Sequence, residues 1–372
     1  LLVPDPDTLS VLPWRPQQGR VVRFYCNIKK PDGSVFWGDT REILKSVLAD
    51  NRNKEYSCMV GAECEFYLFK TDEDGNPTTI PFDNGTYLDV SPIDKGENVR
   101  REICLCLEEM GITPETSHHE QGPGQNEIDF KFSDALSCAD NFITFKTVVK
   151  TIAARNGLFA SFSPKPIPDK SGSGLHINLS LSKNGINVFK LSNDQHSKIA
   201  ESFIAGVLQK VPEMTAFLNP IPNSYDRFGS FEAPKYVSWS YGNRSQLIRI
   251  PAAKGEKVRM ELRSPDPAIN PYLAFALVIS AGFYGMENEL SLPDGVNVDL
   301  YTADNSITDN LMMLPENMEK ALKLAEKSEF IKSILGPEVL SRFIRLKTLE
   351  LQAFNQAIDK NEYYFNNYFK VI

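Results

Sequence analysis

The sequence is poor in histidine and cysteine. Its 372 residues include four histidines and six cysteines, and no two cysteines form a C-x-x-C pair. The cysteines all fall between Cys26 and Cys138, which fits reduced, mostly buried thiols better than a disulfide framework. Because histidine is scarce, a metal site in this chain would depend on carboxylates. Carboxylates favour hard ions such as Mg²⁺ or Mn²⁺ over structural zinc.

Long apolar runs and an excess of basic charge are also missing. No stretch approaches about 18 consecutive apolar residues, so the sequence predicts no membrane-spanning helix. The first residues have no basic segment and no apolar core, so we expect no secretory signal there and a cytoplasmic location. The 40 basic and 48 acidic residues give a net charge of −8, whereas non-specific nucleic-acid binders carry the opposite sign.

The common nucleotide-binding and hydrolase motifs are absent as well. The chain has no Walker A loop, no G-x-G-x-x-G after a strand, no G-x-S-x-G and no H-E-x-x-H. Any phosphate chemistry must therefore use other residues.

The hydrophobic pattern predicts interspersed strands and helices. Strands are predicted over residues 59–70, 127–132, 175–181, 246–250 and 257–264, with a hairpin over 20–37. Helices are predicted over residues 41–48, 99–110, 139–156, 270–289, 317–328 and 340–359. The irregular alternation of the two favours an α+β fold over a doubly wound parallel sheet.

Acidic residues recur in segments that have the pattern of strands. Glu63 and Glu65 are two residues apart, so on a strand they point to the same side. Glu120 and Glu127 flank a Gly-Pro-Gly turn that brings them together. His176 enters a strand directly after a segment of small residues that lets a ligand approach the backbone. Each of these features also has a structural explanation. Glu63 and Glu65 would be solvated at a sheet edge, Glu120 and Glu127 would flank an ordinary hairpin, and His176 would be a structural histidine.

Arginines are dense between residues 222 and 267. They are Arg227, Arg244, Arg249, Arg259 and Arg263. The planar guanidinium suits carboxylate and phosphate groups and stays charged when partly buried. Arginines beside metal-binding acids are the usual apparatus of phosphoryl transfer, and a structural salt-bridge network is the alternative.

Together these motifs resemble the bacterial type I glutamine synthetases. The matching segments are residues 62–69, 117–127, 172–176, 223–227, 231–234, 243–245 and 259–267. They occur in the order of the family, and the resemblance runs from residue 1 to about residue 350. It implies a catalytic domain built on a curved antiparallel sheet flanked by helices.

The resemblance implies ATP-dependent ligation of ammonia to the γ-carboxylate of L-glutamate through γ-glutamyl phosphate, with two or more Mg²⁺ or Mn²⁺ ions. By motif position, Glu65, Glu120 and Glu127 are expected to hold the metal beside glutamate and ammonium. Glu63, His176 and Glu261 are expected to hold the metal that bridges the ATP phosphates. One ion would neutralise the attacking carboxylate and the other the transferred phosphoryl group.

The resemblance also implies roles for the remaining site residues. Arg227, Arg263 and Gly172 are expected to bind glutamate together with Glu65 and Glu120, and Arg244, Arg249 and Arg259 to contact phosphate. Tyr87, Glu115, Phe132 and Ser180 fall where the family contacts nucleotide or the ammonium pocket. Glu232 matches a flap glutamate that closes over the site and takes a proton, with Arg244 as a second catalytic group.

The sequence departs from the family at a few positions. Asn178 stands where many members have a second histidine, Asp226 replaces a usual lysine, and the flap has the sequence Gly-Ser-Phe-Glu. A non-catalytic relative is disfavoured because all six expected metal ligands are present. A γ-glutamyl-amine or polyamine ligase remains the alternative, since it would share the glutamate and ATP groups.

The resemblance divides the chain into two parts. Residues 1–37 are expected to be the C-terminal part of an N-terminal β-grasp domain, and residues 38–372 the catalytic domain. Earlier strands, and a loop whose Asp reaches a neighbour's ammonium pocket, are expected before residue 1. The resemblance also implies a homo-oligomer, a dodecamer of two hexameric rings with active sites shared between neighbouring subunits.

Overall fold

A computed structural model describes residues 1–15, 18–50, 55–190 and 197–372. Its strands are β1 (Leu2–Pro4), β2 (Ser10–Val11), β3 (Val22–Arg23), β4 (Cys26–Ile28), β5 (Ser57–Thr71), β6 (Pro77–Pro81), β7 (Pro114–His119), β8 (Gln125–Phe130), β9 (Ser133–Asp134), β10 (Leu158–Ser161), β11 (Leu175–Lys183), β12 (Ile186–Asn187), β13 (Trp239–Tyr241), β14 (Ile248–Ile250) and β15 (Met260–Leu262). Its helices are α1 (Thr40–Ala49), α2 (Glu97–Glu109), α3 (Ala135–Arg155), α4 (Lys198–Leu218), α5 (Pro271–Glu287), α6 (Asn305–Thr308), α7 (Met318–Glu326), α8 (Glu329–Leu335), α9 (Pro337–Gln356) and α10 (Lys360–Tyr364).

The N-terminal segment differs from the predicted hairpin. The run expected to be one strand is divided into β3 and β4, which pair with β2 and β1 respectively. Tyr25 lies at the break, where its backbone N–H donates to Thr8 Oγ1 and its hydroxyl donates to the carbonyl of Asp140. These bonds turn the chain out of a continuous strand. One bridge of the predicted hairpin, between Lys29 and Val35, is present.

Among the described residues, the main sheet has eleven strands, and β5 is central to it. Its principal order is β13-β14-β15-β11-β5-β8-β7, while β6, β9 and β10 also pair with β5 and β12 pairs with β11. Every pairing is antiparallel except that of β13 with β14. The α+β class and the antiparallel sheet flanked by helices are therefore confirmed.

One face of β5 packs into the hydrophobic core. Ala62, Cys64 and Phe66 are buried in the main cluster, which also contains residues of α3. The alternate side chains, Glu63 and Glu65, point to the other face of the sheet, as expected for a strand. The sheet therefore separates a dry core from a carboxylate-bearing surface.

Helices α4 and α5 pack closely against each other on the core side. A Cβ on Gly206 of α4 would lie 2.2 Å from the carbonyl oxygen of Ala281, so only glycine permits this approach. Helix α4 was not predicted, and it contains both Gly206 and Pro212, which have low helix propensity. Its burial against α5 outweighs that local preference.

None of the described helices is long and apolar enough to cross a membrane. The expected boundary between residues 37 and 38 stays a prediction.

Candidate active site

Strand pairing places the predicted acids side by side on the open face of the sheet. Glu63 lies opposite Asp129 and Glu65 lies opposite Glu127 across β5 and β8. On the other side of β5, His176 of β11 lies opposite Glu63. Four carboxylates from two strands thus meet at one place, which is costly unless cations or hydrogen bonds compensate their charge.

The first candidate metal group contains Glu63, His176 and Glu261, the three residues expected to hold the nucleotide-side metal. Each offers a ligand atom, and these atoms lie within 4.8 Å of one another. His176 Nδ1 lies 3.2 Å from Glu63 Oε2 and 3.7 Å from Glu261 Oε1. Carboxylate oxygens with one imidazole suit Mg²⁺ or Mn²⁺, so these residues fit the expected group.

Glu63 is already hydrogen-bonded in this arrangement. Burial by itself raises its pKa, but the hydrogen bonds from His176 and Asn178 and the charge of Arg259 lower it to about 2. Asn178 Nδ2 donates to Glu63 at 2.8 Å, and Arg259 Nε donates to Asn178 Oδ1 at 2.7 Å. The asparagine that departs from the family pattern therefore links a predicted metal ligand to a predicted phosphate contact.

The second candidate metal group contains His118, Glu120 and Glu127, again with ligand atoms within 4.8 Å of one another. His118 Nε2 lies 2.9 Å from Glu120 Oε1 and 3.9 Å from Glu127 Oε1. Glu120 and Glu127 were both expected here, while His118 was not. The expected third ligand, Glu65, lies next to them as the strand partner of Glu127.

The carboxylates of this second group repel one another. Burial raises the pKa of Glu65, and the charge of Glu120 raises it further. Burial and the charge of Asp129 raise the pKa of Glu127 well above its usual value. Glu65 Oε2 accepts hydrogen bonds from the Gly174 N–H at 2.8 Å and Gln125 Nε2 at 3.0 Å. The uncompensated negative charge is what a divalent cation would neutralise.

A third cluster of titratable residues has a structural arrangement. Asp83 Oδ1 accepts hydrogen bonds from the N–H groups of Gly85 and Gly124, and it lies 2.9 Å from His119 Nε2. His119 Nδ1 donates to the Glu120 carbonyl at 2.6 Å. Because the aspartate already faces N–H donors, this cluster fixes the turn that precedes Glu127.

Arginines surround Glu261 at the β14–β15 side of the site. The fully buried Glu261 pairs with Arg249 Nη1 at 2.7 Å and with Arg263 Nη1. Arg249 lies opposite Glu261 in the pairing of β14 with β15, so the register produces this contact. Arg259 and Arg263 flank Glu261 on the same strand segment, as the alternation predicted.

The expected glutamate-binding residues lie together beside Glu65. Arg227 is buried, and its Nη1 donates to the carbonyls of Ser264 and Pro265 at 3.0 and 3.2 Å, while its Nε has no hydrogen-bond partner among the described residues. A Cβ on Gly172 would lie 2.4 Å from the Pro164 carbonyl oxygen and 2.7 Å from Arg227 Cγ. Only glycine fits there, so the backbone itself forms that wall.

Glu232 lies on a short loop over the arginines. Its carboxylate is 3.4 Å from Arg244 Nη1 and 3.7 Å from Arg263 Nη2. Phe231 and Glu232 both have positive φ values, 48° and 63°. Two consecutive non-glycine residues in this region are strained, a feature found at functional sites.

Two adjoining cavities contain nearly all of the predicted site residues. The first, of about 440 Å³, is lined by Tyr87, Gly172, Glu232, the second metal group and the arginines 227, 244, 249 and 263. The second, of about 600 Å³, is lined by Glu115, Phe132, Ser180 and Arg259. Glu63, Thr116 and Asp129 line both. Glu261 is the exception, since it is buried behind His176 and the arginines.

Sequence reasoning assigned no role to His118 or Asp129. His118 pairs with Glu127 across β7 and β8, and its ring meets that of Tyr87 edge-on at 5.6 Å. Asp129 continues the alternation begun by Glu127, which was the available signal. Burial and the charge of Glu63 raise the pKa of Asp129 to about 7, although a hydrogen bond from Thr116 opposes this.

Comparison with known proteins identifies the family. A sequence model described as "Glutamine synthetase, catalytic domain" matches residues 37–366. The chain belongs to the glutamine synthetase family. It is 46% identical to the glutamine synthetase of Clostridium saccharobutylicum over 374 aligned residues, which cover 99% of this chain and 84% of that protein. The glutamine synthetase of Methanosarcina mazei is 44% identical over 95% of this chain and 80% of its own length.

Solved structures have the same fold. A GmaS/ADP complex superposes with a TM-score of 0.86 at 31% identity, over 98% of this chain and 84% of that one. The cryo-EM structure of Plasmodium falciparum glutamine synthetase gives a TM-score of 0.84 over 99% of this chain and 86% of that one. At 24% identity, the latter likeness supports the fold alone.

Family membership confirms the activity that the motifs predicted. The protein is an enzyme of the ligase class that joins ammonia to the γ-carboxylate of L-glutamate with ATP as co-substrate, giving glutamine, ADP and phosphate. Glutamine synthetases use divalent metal ions, and the two acidic groups described above fit that requirement.

Proposed function

We propose that γ-glutamyl phosphate forms and reacts in the first cavity, while the nucleotide occupies the second. The observation that supports this assignment is that Glu63, Thr116 and Asp129 line both cavities. A phosphate chain that extends from one cavity into the other would pass beside these residues. The GmaS structure holds ADP in that protein, which supports a nucleotide site in this fold.

We assign Mg²⁺ or Mn²⁺ to two groups of residues. Glu65, Glu120 and Glu127 would hold one ion beside glutamate and ammonium, with His118 close enough to orient Glu120. Glu63, His176 and Glu261 would hold the other beside the ATP phosphates. When bound, such ions neutralise carboxylate and phosphoryl oxygens and thereby lower the barrier to their reaction.

Arg227, Arg263 and the backbone at Gly172 would bind and orient glutamate. The free Nε of the buried Arg227 supports this role, since the backbone already occupies Nη1. Orientation matters because the γ-carboxylate must approach the γ-phosphorus in line with the leaving ADP oxygen.

The remaining arginines would stabilise the transferred phosphoryl group. Arg244 and Arg249 line the first cavity, and Arg259 lines the second. Their fixed positive charges act where negative charge develops in the transition state. Glu115, Phe132 and Ser180 line the second cavity and would contact the nucleotide. Tyr87 lines the first cavity and would contact the nucleotide or ammonium from that side.

Glu232 would accept a proton from ammonium or from the tetrahedral adduct. Its contacts with Arg244 and Arg263 support this role, because they hold a carboxylate at the mouth of the first cavity. Closure of its loop would also keep water from the acyl phosphate.

We also propose that the protein forms a homo-dodecamer of two hexameric rings and is located in the cytoplasm. Next to the first cavity, the apolar side chains of Leu88, Val90 and Ile93 are more than half exposed. An apolar rim at a cavity mouth supports a shared active site, since a neighbouring subunit would cover it. Sedimentation analysis tests the oligomer.

The chemistry is tested by phosphate release with glutamate, ATP and Mg²⁺ while the amine is varied. We expect release and glutamine formation with ammonium. Release that requires a longer amine and ignores ammonium would contradict the proposal. As a second arm, Glu65→Gln is expected to lose activity and Mg²⁺-induced protection against unfolding together.

A further inference from the structure

One buried lysine connects two loops. The first consists of residues 164–173, which contain Gly172 and which we call the glutamate-binding loop, and the second carries Glu232. Lys165 is 8% exposed and belongs to no metal group or cavity wall described above. Its Nζ donates to the Lys170 carbonyl at 2.5 Å and lies 4.7 Å from the centre of the Phe231 ring. Phe231 is the residue directly before Glu232.

The backbone on the Lys165 side of this contact is hydrogen-bonded to a segment that lines the first cavity. The Pro164 carbonyl accepts a hydrogen bond from the Ser173 N–H at 2.8 Å, and the Lys165 carbonyl accepts one from Asn223 Nδ2 at 3.2 Å. The backbone around Lys165 is therefore fixed against the segment that contains Gly172. Burial and the charge of Arg227 lower the pKa of Lys165, whereas the charges of Asp226 and Asp169 oppose this shift.

The second half of the contact is the loop of Phe231 and Glu232, in which Arg244 and Arg263 contact Glu232 and Lys165 contacts Phe231. Backbone hydrogen bonds between Gly229 and Ala233 and between Ser230 and Ala233 close the loop, but Phe231 is 48% exposed. Phe231 and Glu232 also adopt positive φ, which local preference opposes. A cation over the face of an aromatic ring contributes an attraction that favours this conformation.

We propose that Lys165 is a positioning residue that couples the glutamate-binding loop to closure of the Glu232 loop through its contact with the Phe231 ring. The proposal rests on the role assigned to Glu232 above. When the loop is closed, γ-glutamyl phosphate meets ammonia and forms glutamine. When it is open, water attacks the acyl carbon and returns glutamate, or the α-amino group attacks it and gives 5-oxoproline. Phosphate is the leaving group in every case.

The test compares phosphate released with glutamine formed, at saturating ammonium and glutamate. Lys165→Gln keeps a donor for the Lys170 carbonyl but removes the charge, and Phe231→Leu removes the ring. A cation–π contact of ordinary strength predicts that each change raises the fraction of phosphate released without glutamine by on the order of two- to thirtyfold. Lys165→Arg and Phe231→Tyr keep a cation and a ring, so they should restore the coupling.

A matched control and a double variant complete the design. Lys370 lies 4.5 Å from the centre of the Phe365 ring, and both residues belong to the C-terminal segment and not to the Glu232 loop, so Lys370→Gln should leave the ratio unchanged. The variant carrying both Lys165→Gln and Phe231→Leu should be no worse than either single change. Unchanged ratios in the single variants, or fully additive effects, would overturn the coupling. Failure of the unsubstituted enzyme to make glutamine would instead overturn the proposed function.

Discussion

Replacing Asp129 with asparagine should stabilise the metal-free protein. Asp129 is the strand partner of Glu63. In the described part of the chain its Oδ1 has no hydrogen-bond partner, and its Oδ2 accepts a hydrogen bond from the Thr116 hydroxyl. Asparagine has nearly the same shape and can still accept that hydroxyl. The substitution therefore removes one negative charge from the carboxylate face and little else.

The magnitude follows from the pKa of Asp129. Burial, with the charge of Glu63, raises it from 3.8 to about 7. Each pKa unit corresponds to about 1.4 kcal/mol, so the ionised side chain costs the folded state on the order of 4 kcal/mol. For a protein of this length the unfolding entropy is roughly 0.8 kcal/mol per kelvin. The expected gain in melting temperature is therefore at most about 5 °C.

The size of this stabilisation depends on pH. An acid whose pKa is raised by folding costs nothing below its unfolded pKa near 3.8, where both states bind the proton. The cost grows as pH rises towards about 7 and is constant above that value. The advantage of Asp129→Asn should therefore be smaller at pH 5 than at pH 8.

The measurement is thermal unfolding of both proteins in a chelator at pH 5 and pH 8. Asp294→Asn, a change in an exposed loop, is the control and should shift nothing. Saturating Mg²⁺ should shrink the difference, because bound cations neutralise the same repulsion. A variant that melts no higher than the unsubstituted protein at pH 8 in chelator would refute the electrostatic reasoning.

Two other substitutions test the site through different observables. Glu261→Ala leaves Arg249 and Arg263 without their buried partner, so it should abolish activity and lower the free energy of unfolding in urea by about 3–5 kcal/mol. Glu65→Ala should also abolish activity, but without that loss of stability. An equal stability of the two variants would contradict the pairing. Gly172→Ala places a Cβ against the Pro164 carbonyl, so steady-state kinetics should show a KM for glutamate raised at least about tenfold, and an unchanged KM would place glutamate elsewhere.

Sequence periodicity was sufficient to predict the orientation of site residues that lie on one strand. Glu63 and Glu65 alternate with apolar residues, so their common orientation follows from the strand period alone. The helices that were predicted, α1, α2, α3, α5, α7 and α9, lie within a few residues of their expected bounds, because their apolar residues recur with the period of a helix. The resemblance to glutamine synthetases then supplied roles that the pattern could not.

Residues whose importance depends on a pairing partner were not found in this way. His118 and Asp129 matter because the register brings them opposite Glu127 and Glu63, and no local pattern encodes that register. The positive φ values at Phe231 and Glu232 likewise arise from tertiary contacts. Helix α4 escaped prediction because its burial outweighs the low helix propensity of its glycine and proline.

The central position of β5 also bears on how the protein is made. The site is assembled by pairing residue 63 with residues 129 and 176, and residue 261 with residues 178 and 249. Such distant pairings are slow to form. A nascent chain must therefore be synthesised past residue 261 before both metal groups can exist. Until then the clustered glutamates lack their cationic partners, and their mutual repulsion opposes the folding of any intermediate that brings them together.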